Sequence, residues 1–134
     1  MNNFLFLLLL ILDQVSKYIF AHLRPEILSQ NTGIAFGLFN ESTYLIILFN
    51  CLLLLALFFF RKQIFGNSSW QKLAFVFIMA GGLGNLLDRV LLGYVRDFLN
   101  LLTIPTFNLA DVFINIGIAL LLFSLFFPKK EVSQ

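Results

Sequence analysis

The chain has 134 residues, of which 60% are hydrophobic and 12% charged, with 18 phenylalanines and a formal net charge of +2. A soluble core of this length cannot hide so much apolar side chain, so the composition points to an integral membrane protein. The small net charge argues against a nucleic-acid partner. The lone cysteine, Cys51, rules out an intrachain disulfide and argues against thiolate metal binding.

A membrane-spanning helix needs about 20 predominantly apolar residues. Four stretches meet that need, at about 4–23, 44–60, 70–87 and 109–127, leaving short connections and one integral membrane domain over residues 1–134. The first stretch begins like a secretory signal from Phe4 to Leu12. However, no basic segment precedes it, and Asp13 and Lys17 stand where a cleavage region requires small neutral residues, so a retained helix is expected. Asp13 and Lys17, four apart, share one helical face as an acid–base pair. Mutual neutralisation that holds helices together explains the pair at least as well as a direct part in chemistry.

The first connection carries Asn31-Thr-Gly-Ile-Ala-Phe-Gly-Leu-Phe39, polar and glycine-punctuated at its start, which suits a strand or turn leading into the second helix. Gly33 and Gly37 also fit a small-residue helix contact. Around the second connection stand Arg61, Lys62 and Lys72 without an acid, and the tail carries Lys129 and Lys130. Basic loops stay on the cytoplasmic side, so both termini are expected inside and the first and third connections outside.

Gly81-Gly-Leu-Gly-Asn-Leu-Leu-Asp-Arg89 closes the third stretch. Its glycines lack the spacing and the preceding strand of a phosphate-binding loop, so close helix contact is expected instead. Asn85, Asp88 and Arg89 should form a polar cluster at the outer surface. For Asp88 alone, a solvated helix end with an interfacial ion pair is an equal reading.

Asp97, within Gly93-Tyr-Val-Arg-Asp97-Phe, and Asp111, within Phe107-Asn-Leu-Ala-Asp111, flank a short break that Pro105 prevents from being helical. The flanking helices must then be antiparallel neighbours whose outer ends meet. An ionisable group near lipid costs roughly 2.5–3.5 kcal/mol on insertion scales and marks a functional site. Two converging carboxyls share a proton, so one can act as base on a water while the other, protonated, polarises a carbonyl.

Five ordered blocks now stand together: Asp13-Gln-Val-Ser-Lys17, Asn31-Thr-Gly-Ile-Ala-Phe36, Gly81 to Arg89, Gly93 to Phe98 and Phe107 to Asp111. On a four-span frame they make the chain similar to the lipoprotein signal peptidases, signal peptidase II. The resemblance implies an all-α membrane protein of four transmembrane helices, with a small extracytoplasmic loop or β element between helices 1 and 2, in a bacterial inner membrane. It implies an endopeptidase that removes the signal peptide of diacylglyceryl-modified prolipoproteins just before the lipidated cysteine. Asp97 and Asp111 match the family's catalytic pair; Asn85, Arg89 and Asn108 match polar residues lining the site; Asp13, Lys17, Asn31, Gly33 and Asp88 match further motif positions. No cofactor or metal is implied, and a monomer surrounded by membrane lipid is expected.

Two departures from the family pattern stand out. Only about twenty residues separate the first two helices, so the β-cradle should be reduced. Arg96 occupies a position that is usually apolar, and its side chain is expected to point toward lipid phosphates. The principal alternative function is a small proton-coupled transporter, which would place its acids near the bilayer midplane rather than at one face. A third reading is an assembly protein whose acids only pair helices, a role that would not call for Asn85 and Asn108 beside the two aspartates.

Overall fold

A computed structural model describes residues 2–33, 43–101 and 104–126 of the chain. Helix α1 (Asn3–Leu23) is capped by Asn2, whose side chain accepts the Leu5 N–H. Helices α2 (Thr43–Phe59) and α3 (Arg61–Phe65) follow, then α4 (Ser69–Leu92) and α5 (Leu109–Phe126). Ser68 and Gln71 form a reciprocal capping box at the start of α4, and Gly93, at φ 84°, ends it in the left-handed conformation that favours glycine.

Of the described helices, α1, α4 and α5 are long and apolar enough to cross a membrane, while α2, at 17 residues, is shorter. Their outward faces expose large apolar side chains, among them Phe4, Leu7, Leu45, Leu52, Leu125 and Phe126, a surface that suits lipid rather than water.

The chain is mostly helical, as expected of an all-α membrane protein, but its β structure extends beyond the one small element expected between the first two helices. Strand β1 (Ser29–Asn31) does lie between the first two helices, but it pairs antiparallel with β2 (Val95–Asp97), beyond α4. A second antiparallel pair, β3 (Leu99–Leu101) with β4 (Ile104–Phe107), lies in the break between Asp97 and Asn108. Once Gly93 and Pro105 deny a helix, the backbone N–H and C=O groups of this segment still need partners, and strand pairing provides them. Helix α4 also runs to Leu92, past the expected end near 87, because Asp88 and Arg89 are held inside the protein rather than at a solvated helix end. The expected contact through Gly37, the segment Ile34 to Phe39 and the basic tail residues Lys129 and Lys130 lie outside the described residues.

Helix α4 is central, packing against α5, α1 and α2. Its glycines permit the closest of these approaches. A Cβ on Gly81 would strike the Ala110 carbonyl oxygen and the Ile114 side chain, and one on Gly84 would strike the Asp13 carboxylate. From the facing helix, Gly117 presents its bare backbone to the Ala74 carbonyl, 2.9 Å from where a Cβ would stand. Around these contacts lie two small apolar clusters, Leu9 with Val76, Ala80 and Phe113, and Phe65 with Ala74 and Phe75.

A pair of substitutions tests this seam. Gly81→Ala forces a methyl onto backbone and should cost about 1–3 kcal/mol. Gly82→Ala meets only the end of Leu54, at 2.6 Å, a side chain free to turn toward lipid, and should cost less than half as much. Thermal unfolding in detergent measures both, and equal losses would contradict the α4–α5 contact.

Candidate active site

The site grows from the start of α5. Asn108 caps this helix: its Oδ1 accepts the Asp111 N–H at 3.2 Å, while Asp111 Oδ2 accepts the Asn108 N–H at 3.1 Å. This is a capping box with Asp at its third position, and it fixes the Asp111 rotamer through the helix's own orphan donors. The remaining oxygen, Asp111 Oδ1, accepts Asn85 Nδ2 at 2.8 Å.

Asp97 arrives from the opposite side on β2. It stands across from Ser29 in the β1 register, and Asn31, two residues further on the same face, donates Nδ2 to Asp97 Oδ2 at 3.0 Å. Asn108 Nδ2 donates to Asp97 Oδ1 at 2.6 Å and to Asn85 Oδ1 at 3.1 Å. Asn108 therefore bonds both aspartates, one through its side chain and the other through its backbone. Phe98, the next residue along, is buried and stacks on Phe20 of α1 with ring centroids 4.3 Å apart, anchoring the end of β2.

A buried charge cluster backs the pair. Lys17 has no exposed surface; its Nζ donates to Asp13 Oδ2 at 2.9 Å and to Asn85 Oδ1 at 2.9 Å, with Asp88 3.7 Å away. Asp13 Oδ1 accepts the Ala110 N–H at 2.9 Å, so a carboxylate of α1 satisfies a donor in the first turn of α5.

Arg96 corrects an expectation. Its guanidinium does not reach toward lipid phosphates but turns inward, donating Nη2 and Nε to Asp88 at 2.7 and 3.1 Å and Nη2 to Gln14 Oε1 at 3.1 Å. Its backbone N–H also donates to Asp88 Oδ2, at 2.9 Å. Asp88 is 1% exposed, and a carboxylate so enclosed needs a second cation more than a lipid phosphate needs an arginine. The Asp88 carboxylate in turn holds the Arg96 pKa above its ordinary value.

Gln14 went unnoticed in the sequence. It donates Nε2 to Asp13 Oδ2 and to the Gly84 carbonyl, and its one signal was polarity within an apolar stretch. Gly33 serves the turn after β1 rather than a helix contact: its N–H donates to Asn31 Oδ1 and its carbonyl accepts Arg89 Nη2 at 3.0 Å. All ten predicted site residues thus fall in one connected region.

A cleft of about 400 Å³ opens beside this network, lined by Asn31, Asn85, Arg89, Phe107 and Asp111 among others. Asp111 faces it. Asp97, 1% exposed, is hydrogen-bonded to Asn31 of that lining. Burial pushes the Asp97 carboxyl above its ordinary range; the amide donors of Asn31 and Asn108 oppose the shift and the nearby Asp111 charge adds to it. Among the described residues no group of three or more His, Cys, Asp or Glu is placed to hold a metal ion.

The family model for signal peptidase (SPase) II matches residues 5–127. The chain is 43% identical to a lipoprotein signal peptidase of Microcystis aeruginosa, covering 92% of this chain and 90% of that protein. It is 37% identical to one of Fusobacterium nucleatum, covering 96% and 88%. A solved bacterial membrane enzyme superposes with a TM-score of 0.80 at 29% identity, covering 98% of this chain and 92% of that one. The chain belongs to the signal peptidase II family.

Proposed function

We propose that this chain cuts diacylglyceryl-modified bacterial prolipoproteins just before the lipidated cysteine, using Asp97 and Asp111 to activate a water. Family membership makes it an aspartyl peptidase that removes signal peptides from prolipoproteins, and it leaves the proton-coupled transporter reading without support. The observation that carries the catalytic assignment is the double hold of Asn108 on Asp97 and Asp111 at the edge of the cleft.

The chemistry follows from the different settings of the two acids. Asp97, enclosed and with its pKa raised, keeps the shared proton and polarises the scissile carbonyl. Asp111, facing the cleft, takes a proton from water as the oxygen attacks the carbonyl carbon. The tetrahedral intermediate then collapses with loss of the C–N bond. The departing amine of the lipidated cysteine takes a proton from Asp111, and the signal peptide leaves as the acid. Asn85, Asn31, Asn108 and Arg89 orient the pair and the substrate, while Asp13, Lys17, Asp88 and Gly33 hold them.

The chain is read as a single four-span domain of the bacterial cytoplasmic membrane, monomeric in lipid, with both termini inside and the site at the outer face. Helix α2 supports a fourth span, since 17 residues rise about 26 Å and the hydrocarbon core is about 30 Å thick. Arg61 and Lys62, immediately after it, can reach the interface from its end.

Asp97→Asn and Asp111→Asn should each abolish cleavage of a diacylglyceryl prolipoprotein, read as a mass shift, and substantial turnover by either would refute the pair. Thermal stability of Asp97→Asn should change little at neutral pH. A carboxyl whose folded pKa is raised binds its proton more tightly when folded, so its stability contribution falls as pH rises from 3.8 through the folded value. The variant removes that penalty, but its amide meets the Asn31 or Asn108 donor.

Orientation is read from single cysteines at the exposed positions Asn67 and Asn100 in a Cys51→Ser background. An impermeant thiol reagent on intact cells should label Asn100→Cys and spare Asn67→Cys; the opposite pattern, or labelling of both, overturns the topology.

Arg96→Met leaves Asp88 with Lys17 at 3.7 Å as its one remaining salt-bridge partner among the described residues and should destabilise by about 3–5 kcal/mol, the cost of breaking a buried pair from one side. Unchanged unfolding would restore the lipid-facing placement.

A further inference from the structure

Helix α5 carries a polar side chain that the mechanism does not use. Asn115 is exposed, lies four residues after Asp111 and lines the same cleft. On a helix that spacing stacks the two on one face, with Asn115 about 6 Å deeper along the axis. The other polar residues of α5 are accounted for: Asp111 is bonded to Asn85 and Asn108, and Ser124 returns its hydroxyl to the Leu121 carbonyl at 2.6 Å. The Asn115 amide has no hydrogen-bond partner among the described residues. In a helix with so apolar a sequence, a free carboxamide facing lipid is unfavourable, and a leucine would serve the fold better. Arg89, also on the cleft wall, has a buried Nε with no hydrogen-bond acceptor among the described residues.

The substrate explains what such groups would do. A signal peptide crosses the membrane as a helix, with its backbone N–H and C=O groups bonded internally. The segment at the cut must be unwound before a water can reach the scissile carbonyl, and unwinding strips those groups of partners where no bulk water replaces them. An extended peptide advances about 3.3 Å per residue, so 6 Å along α5 corresponds to about two residues. Residues before the cut lie on the membrane side, which is the direction in which Asn115 stands from Asp111.

We infer that Asn115 is a substrate-binding residue whose carboxamide takes the backbone N–H and C=O freed about two residues on the amino-terminal side of the scissile bond. A carboxamide is both donor and acceptor, which a peptide unit requires. Asn115 thereby recognises an unwound main chain rather than any particular side chain. This inference rests on the reading of Asp97 and Asp111 as the catalytic pair.

The test uses the full chain purified in detergent with a diacylglyceryl prolipoprotein peptide. In Asn115→Leu, KM should rise about tenfold with kcat within twofold of the parent, the pattern of lost ground-state binding, while thermal stability holds or rises. Substrates in which an ester replaces the amide at each of the three positions before the cut should raise KM for the parent enzyme at one position. At that position Asn115→Leu should show no further loss. An unchanged KM in Asn115→Leu, a fall confined to kcat, or esters that affect parent and variant alike would each overturn the inference. Asp111→Asn, run alongside, separates the two claims: its inactivity with a normal KM in Asn115→Leu sinks this inference alone, whereas its activity sinks the functional reading beneath it.

Discussion

A lysine ammonium with no exposed surface can persist only where anions and acceptors surround it, and the arrangement around Lys17 organises the rest of this protein. Asp13, Asp88 and Arg96 join it, so two carboxylates and two cations sum to zero inside the protein. Each belongs to a different part of the fold or reaches across to one. Asp13 holds the first turn of α5, Asp88 holds the backbone of β2, and Lys17 holds Asn85. Removing any member strands another in a medium that cannot solvate it.

The cluster also decides which way the amides face. Because Lys17 takes Asn85 Oδ1, the Asn85 Nδ2 is left to donate, and Asp111 receives it. The Asn108 Oδ1 is likewise taken by the Asp111 N–H, which leaves its Nδ2 for Asp97. A flipped amide at either position would set donor against donor. The two aspartates thus face fixed donors before any substrate arrives, which is the condition under which electrostatic groups contribute most to catalysis. Arg96 fits the same logic: by bonding Asp88 from the β2 side it leaves Lys17 closer to Asn85 than to Asp88.

Much of this was legible in the sequence because membranes make charge conspicuous. Asp97, Asp111, Asp13 and Lys17 stood out against apolar surroundings, and helix periodicity alone put Asp13 beside Lys17. What escaped depended on contacts between distant segments. The β1–β2 pairing joins residues near 30 to residues near 96, and no local pattern announces a three-residue strand. Arg96 was misplaced because its partner, Asp88, reads as a helix terminus until α4 is seen to continue past it. Gln14 has no charge, and its bonds to Asp13 and Gly84 require α1 and α4 to touch first.

In the proposed mechanism two carboxyls share one proton, with Asp97 holding it and Asp111 acting as base on the water. The pH dependence of kcat/KM reports both groups in the free enzyme. The account predicts a bell-shaped profile, with a rising limb as the pair loses its first proton and a falling limb, above the ordinary carboxylate range, as Asp97 loses the second. A profile that rises once and then stays level until the protein itself unfolds in base would contradict it, because no second carboxyl would then need to remain protonated.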